Sequence, residues 1–242
     1  MGLFDIFMSE EKQIVRHTRR LMNRDSQPED RESSAQWLAH NGSSMAISGL
    51  IRRFEIKLDH GMKDKTEKDA LFSLLVDLGS EKVSGPLRNW LRHKPQFAVP
   101  LRLLQTLDGD AAAVEIAIEL LDAEVKKDNF KPEKKLGLLN WLNNYVRADM
   151  VDAGAPLLND FDEGVRCAAA DLLIATESDA AAKPLSEALF REDEDSGRLK
   201  SRLANIFAQR GWQVPSSFTD HADRLPSEFS IQDNRIVITR EQ

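Results

Sequence analysis

The chain has 242 residues, of which 41% are hydrophobic and 30% are charged. This balance predicts a folded protein with a sizeable core and argues against an intrinsically disordered chain. The formal net charge of −7 argues against broad binding to a phosphate backbone, because a basic surface supplies most of that affinity. Acidic and basic residues balance up to residue 150, and the acidic excess beyond it is densest at residues 192–195.

Cysteine content and hydrophobic runs predict a cytoplasmic protein. Cys167 is the single cysteine, and that count suits a reducing compartment. No apolar run approaches the roughly 18–20 residues of a membrane span, and residues 1–8 are too short and too poor in basic residues for a secretory signal. We expect the apolar turn of Leu3, Phe4, Phe7 and Met8 to cap the first helix pair. Contact with a membrane or a partner is the alternative.

Apolar residues recur with helical spacing over most of the chain and predict an all-α fold. The predicted helices, about twelve, are 9–24, 30–41, 43–57, 65–78, 82–93, 95–107, 110–125, 132–144, 147–159, 161–176, 178–190 and 196–210. Helices of this length joined by short polar breaks pack as antiparallel pairs. We therefore expect an α-α superhelix of about five to six pairs over residues 1–212, followed by an extension over 213–242.

Internal repetition strengthens this interpretation. A Pro-Leu dipeptide at Pro86, Pro156 and Pro184 is followed each time by an apolar helix. A proline inside a helix removes one hydrogen bond and bends the axis, so we expect the same bend in successive first helices. The best repeats are 80–107, 147–176 and 178–210.

Residues 156–172 read Pro-Leu-Leu-Asn-Asp-Phe-Asp-Glu-Gly-Val-Arg-Cys-Ala-Ala-Ala-Asp-Leu. A proline helix, an Asp turn, Val-Arg opening the second helix and then small residues resemble the HEAT-repeat family, an armadillo-like α-solenoid. Residues 183–210 and 87–107 resemble looser copies. The resemblance implies stacked helix pairs whose curved surface holds another protein. It also implies a mainly structural role for Arg166, which would bond an Asp or a backbone carbonyl of an adjacent turn, with Asp162 within reach.

The C-terminal residues change from helical to alternating periodicity. Residues 228–232 and 235–239 flank Asp233-Asn234, a pair that tolerates the positive φ of a tight hairpin turn. A two-residue turn places Ile231 opposite Ile236 and Phe229 opposite Ile238, with all four side chains on one face. Since a lone hairpin is marginally stable in water, we expect this face to dock on the end of the helical stack, or alternatively on a partner.

Two further patterns have both a structural and a functional interpretation. Cys167 lies in an Ala-rich helix, which favours an inert core thiol over a reactive one. Three Trp-Leu dipeptides favour equivalent packing positions over a binding row of aromatic rings; they begin at Trp37, Trp90 and Trp141.

Clusters of basic residues are interleaved with acids, which favours solvated helix faces over a patch for an acidic partner or nucleic acid. The clusters lie at residues 16–20, 52–53, 88–94 and 126–135. If a binding surface exists, we expect it to use arginines from the clusters and from the repeat helices, namely Arg52, Arg53, Arg102, Arg166, Arg198 and Arg202.

No catalytic, cofactor or metal signature is recognisable in the sequence. None of the five histidines is followed by glutamate, so the paired His-Glu ligands of HEAT-type di-iron hydroxylases are missing, and nothing marks a pigment pocket of the bilin-lyase kind. We therefore expect a non-enzymatic protein-protein interaction scaffold, monomeric and without a cofactor. The alternative is a nucleic-acid-binding or DNA-repair HEAT protein like the alkylpurine glycosylases. A third hypothesis is a regulatory or immunity factor whose acidic C-terminal part captures a basic partner.

Overall fold

Twelve α-helices and one β-hairpin form the regular structure of residues 9–127 and 131–239, the part of the chain that the computed structural model describes. The apolar turn formed by Leu3, Phe4, Phe7 and Met8 lies outside these residues. The helices are α1 Glu10–Met22, α2 Pro28–Asn41, α3 Ser44–Ile51, α4 Gly61–Leu78, α5 Ser80–His93, α6 Ala98–Asp108, α7 Asp110–Val125, α8 Pro132–Leu142, α9 Met150–Gly154, α10 Glu163–Ala175, α11 Ala182–Leu189 and α12 Gly197–Arg210. The all-α class with a C-terminal hairpin is confirmed.

Three of the predicted helices are each divided by the structure into an α-helix and a 3-10 helix. The predicted helix 178–190 is a 3-10 turn at Asp179–Ala181 followed by α11. The predicted helix 43–57 is α3 followed by a 3-10 turn at Arg52–Glu55. The predicted helix 147–159 is α9 followed by a 3-10 helix at Ala155–Asn159.

The Pro-Leu dipeptides at Pro86, Pro156 and Pro184, three of the four in the chain, occupy different positions in their helices. Pro86 lies inside α5, as predicted. Pro156 instead lies in the 3-10 helix after α9, and Pro184 lies in the first turn of α11. A proline in the first turn costs the helix no hydrogen bond, because the N–H groups of that turn have no partner within the helix. Thus the expected recurrence of a proline inside the α-helix is wrong for these two positions.

Contacts divide the chain within α7, between Ile116 and Ala117, into two units. In the first unit the helices stack in two layers, because α1 packs on α3 and α3 on α5, while α2 packs on α4 and α4 on α6. Apolar side chains at helical spacing fill the space between the layers; among the fully buried ones are Leu38, Ile47, Leu50, Leu75, Leu87 and Leu91. This is the packing of an α-solenoid within the unit.

The second unit repeats the two-layer packing. Helices α8, α10 and α12 contact one another in order, and the 3-10 helix after α9 packs on α11. Helices α9 and α10 approach closely at Gly154, where an added Cβ would lie 2.4 Å from Leu173 Cδ1. Ala169 and Ala170 are fully buried, and such small residues of α10 let the neighbouring helices approach closely. Among the described residues, no helix is long and apolar enough to cross a membrane.

The hairpin has the predicted register. Strand β1 (Phe229–Gln232) pairs antiparallel with β2 (Arg235–Ile238), and Ile231 lies opposite Ile236. Asp233 and Asn234 have φ of 48° and 59°, the geometry that a two-residue hairpin turn requires. Strand β2 packs on α12, and Ile236 is 2% exposed. The hairpin therefore docks on the last helix, as expected, although Ile238 stays 59% exposed.

Substitutions in β2 test how much this docking stabilises the second unit. We expect Ile236→Ala to lower the free energy of unfolding by about 2–4 kcal/mol, the cost of truncating a buried isoleucine. Ile238→Ala on the same strand is the matched control and should change it little, since its side chain is mostly exposed already. Urea unfolding followed by circular dichroism measures both, and equal effects would contradict the docking.

Candidate functional site

The six arginines expected at a binding surface fall into two groups. Arg53 and Arg166 are buried, with 1% and 7% exposure, so they present little surface to a partner. The other four are exposed, and for them the binding role stays a prediction: Arg52, Arg102, Arg198 and Arg202. The guanidinium of Arg102 lies 4.8 Å from the centre of the Phe72 ring.

Arg166 has a structural role, as the resemblance implied, but through a different acid. Its Nε and Nη2 each donate at 2.9 Å to the carboxylate of Glu194, which is itself buried. Its Nη1 donates to the carbonyl oxygens of Asp160 and Phe161 at 3.1 and 3.0 Å. Asp162, the acid expected to pair with it, instead caps α10 by accepting from Val165 N.

An equivalent network organises the first unit. Arg31 donates to both carboxylate oxygens of Glu67 at 2.9 and 2.6 Å, and to carbonyl oxygens of the turn after α1. Arg53 Nη2 donates to Asp64 at 2.9 Å and to Glu67 at 3.1 Å. Burial raises the pKa of Asp64 and of Glu67, but hydrogen bonds from Lys68 and Arg53 to Asp64, and from Arg31 and Arg53 to Glu67, outweigh it. Both pKa values are therefore lowered.

A cation at the fourth residue of a helix recurs in both units and was not predicted. Arg31, Lys135 and Arg166 are the fourth residues of α2, α8 and α10. Lys135 Nζ donates to Asp160 at 2.7 Å. In the second unit each acid stands three residues before a helix, because Asp160 precedes the start of α10 and Glu194 precedes the start of α12 by that distance. The two pairs of the second unit, Lys135–Asp160 and Arg166–Glu194, join the start of one helix to the turn before the next helix of the same layer, whereas the acid that binds Arg31, Glu67, lies within α4. We call the two pairs of the second unit the turn ladder.

The surface of α10 and α12 carries a second group of polar contacts. Arg198 Nη2 lies 3.4 Å from Cys167 Sγ, and Arg202 Nε lies 2.7 Å from Asp171 Oδ1. Burial raises the pKa of Asp171, and the nearby guanidinium groups offset this only in part. Cys167 is half-buried beside a cation, so its expected position in the apolar core is wrong.

The three Trp-Leu dipeptides act mainly in packing. The leucine is fully buried in each, which agrees with equivalent packing positions. The tryptophans differ, because Trp90 is 6% exposed and donates to Glu55, while Trp37 is partly exposed and stacks on His17 at 4.3 Å. Trp141 packs against Tyr145. No common row of exposed rings results.

An open groove of about 920 Å³ lies between α1 and α3 in the first unit. Val15 and Met45 line it and are 45% and 46% exposed. Four arginines also line it, and no acidic residue does among the described residues that form it; the arginines are Arg16, Arg19, Arg20 and Arg52. We call this surface the α1–α3 groove. Of the arginines expected at a binding surface, only Arg52 belongs to it.

Helical spacing explains how α1 supplies both kinds of side chain. Ile14, Thr18 and Leu21 face the core, so the next stripe around the helix, which includes Val15 and Met22, turns toward the groove. Helix α3 approaches closely because Gly49 lies under Thr18, where an added Cβ would be 2.3 Å from Thr18 Oγ1.

Arg31 fixes the end of the groove. Its guanidinium donates to the carbonyl oxygens of Asn23, Arg24 and Ser26 in the turn after α1, and Asn23 and Ser26 line the groove. The turn that closes the groove is thus held by a buried cation. The shape of the groove therefore depends on the packing of α1, α2 and α3.

The acidic run at residues 192–195 is not a uniformly exposed surface. Glu194 is 2% exposed and pairs with Arg166 and Arg191. The side chains of Asp193 and Asp195 are 84% and 91% exposed. The sequence count of charge therefore overstates the acid that a basic partner would meet.

No group of three or more His, Cys, Asp or Glu side chains is placed to hold a metal ion within residues 9–127 and 131–239. Compared with known proteins, the chain matches no family model, no curated protein and no solved structure.

Proposed function

We propose that this chain is a non-enzymatic protein-binding module built from HEAT-like helix pairs, and that the α1–α3 groove is its binding surface. The exposed apolar lining of the groove carries the proposal. Val15 and Met45 come from two different helices and remain 45% and 46% exposed in one concavity. A concave surface with apolar side chains and a polar rim is characteristic of a site that receives side chains of another molecule.

The arrangement of the helices supports the HEAT-like part of this proposal. Each unit stacks its helices in two layers, with contacts to the helix two positions on. A cation at the fourth residue of α2, α8 and α10 binds a carboxylate in each case, and in the second unit these pairs form the turn ladder. Repeats of this kind form extended surfaces whose common use is to hold another protein.

Site-specific photo-crosslinking in cells tests the proposal. A benzophenone amino acid replaces Val15 or Met45 in the full chain, and the same replacement at Met62 on α4 is the control, since Met62 is 72% exposed but does not line the groove. We expect discrete, protease-sensitive adducts from positions 15 and 45 and none from position 62.

Two outcomes would contradict the proposal. Equal adducts at all three positions would show that crosslinking depends only on the exposure of the residue and not on its place in the groove. Adducts that a nuclease removes would instead favour the nucleic-acid-binding alternative, which the four groove arginines would support.

A further inference from the structure

We infer that the partner segment in the α1–α3 groove is an acidic amphipathic α-helix, with apolar residues on one face and carboxylates beside them. The inference rests on the proposed function and adds the chemistry of the partner. Two observations carry it, the sign of the charge around the groove and the apolar side chains within it.

Among the described residues that line the groove, the charged ones are all arginines, although the chain as a whole is acidic. Arg16, Arg19 and Arg20 follow one another at i, i+3 and i+4, so they lie on one side of α1. Arg52 adds a fourth guanidinium from the end of α3, and its side chain stays 51% exposed despite an ion pair to Glu55 at 3.8 Å. Such a concentration of guanidinium groups attracts carboxylates, with which they form paired hydrogen bonds.

The shape and apolar lining favour a helix as the occupant. Helix α1 has 13 residues and therefore extends about 20 Å. The groove runs between α1 and α3, and a groove between two packed helices can receive a third helix. Val15 and Met22 are seven residues apart on α1, and Met45 stands on α3. A partner helix would place apolar residues at i, i+3 or i+4, and i+7 against them.

The same features disfavour a nucleic acid or a bilayer as the occupant. Strand-binding grooves use aromatic side chains to stack bases, whereas the described residues that line this groove include no aromatic one. A membrane-bound helix presents its apolar face outward on a convex surface, whereas Val15 and Met45 lie in a concavity. Methionine and valine beside arginine suit a polypeptide with both apolar and acidic side chains.

Selection from a displayed library of helical peptides tests the inference. The probe is a library of roughly 16-residue peptides, long enough to span the groove, selected on the intact chain and then measured singly by fluorescence anisotropy. We expect enrichment of Asp and Glu together with Leu, Ile, Phe or Met at i, i+3 or i+4, and i+7. Arg19→Glu with Arg20→Glu should weaken the selected peptides by about tenfold or more, because it puts like charges together.

A matched charge reversal controls for net charge. Lys63→Glu with Lys65→Glu changes two exposed cations of α4 that do not line the groove, and it should leave the affinity unchanged. Circular dichroism melts check folding. If the arginine reversal unfolds the chain, Arg19→Gln with Arg20→Gln should still weaken binding, and more so at low salt.

Four results would overturn the inference. Enriched peptides without acidic residues would do so, as would equal loss in the two charge reversals. Tighter competition by single-stranded DNA, RNA or phosphatidylserine vesicles than by the selected peptides would also do so. Crosslinked protein partners at Val15 and Met45 that do not respond to the arginine reversal would leave the proposed function standing and remove only the acidic helix.

Discussion

Replacing Arg166 by methionine is expected to lower the free energy of unfolding by about 3–5 kcal/mol, the range for breaking a buried ion pair. The substitution leaves the buried carboxylate of Glu194 with fewer donors, and it removes the donors to the Asp160 and Phe161 carbonyl oxygens. Arg191 still contacts Glu194 at 2.6 Å, so the loss should fall toward the lower end. Urea unfolding followed by circular dichroism measures it.

Two further variants separate the ion pair from the loss of a cation. Arg198→Met on the neighbouring helix removes the same charge from an exposed side chain, 70% of which is open to solvent, and it should leave the urea midpoint unchanged. Arg166→Met combined with Glu194→Gln should be less destabilised than Arg166→Met alone, because the buried charge is gone. A double variant as unstable as the sum of its parts would show that the pair contributes nothing.

The stability of the chain should fall steeply as the solution is acidified below about pH 5. The folded-state pKa values of Asp64 and Glu67 lie below their ordinary values of 3.8 and 4.5. Groups of this kind stabilise the fold above their unfolded-state pKa, and that stabilisation is lost as the pH falls through the folded-state pKa. Protonation would leave Arg53, which is 1% exposed, without a charged partner.

Glu67→Gln identifies the network as the cause of this loss. It should cost about 3 kcal/mol at pH 7, since Arg31 and Arg53 both donate to Glu67. The difference from the unsubstituted chain should shrink as the pH falls through the folded-state pKa of Glu67, where the native carboxyl itself becomes protonated. The control Asp69→Asn removes an exposed acid of the same helix, and its pH profile should run parallel to the original. A constant difference at all pH values would exclude the network.

Helix positions and the hairpin were predictable because local chemistry determines them. Apolar spacing and short polar breaks predicted the twelve helices, and Asp233-Asn234 fixed the hairpin turn and hence the pairing of Ile231 with Ile236. Prolines were less informative, since Pro156 and Pro184 stand where a helix begins or changes type. The same dipeptide therefore has different effects at different helix positions.

The buried ion pairs and the groove could not be read from local pattern. Arg166 and Glu194 are 28 residues apart in sequence, and nothing in a helical period connects them. A cluster of arginines such as residues 16–20 has the same sequence pattern whether it lies on a solvated helix face or in a groove. The difference depends on how closely α3 approaches α1 at Gly49. A basic residue at the fourth position of several helices was the one available signal.

The turn ladder also suggests how such repeats can be found when overall similarity is too low to detect. Each pair of the ladder joins the fourth residue of one helix, a cation, to an acid three residues before the next helix of the same layer. The two positions are 25 residues apart in Lys135–Asp160 and 28 apart in Arg166–Glu194. Core residues can exchange freely among apolar types, whereas a buried cation needs its acid. In diverged chains these charged pairs should therefore be retained after the apolar pattern has changed. Their positions can then be used to align one repeat with the next.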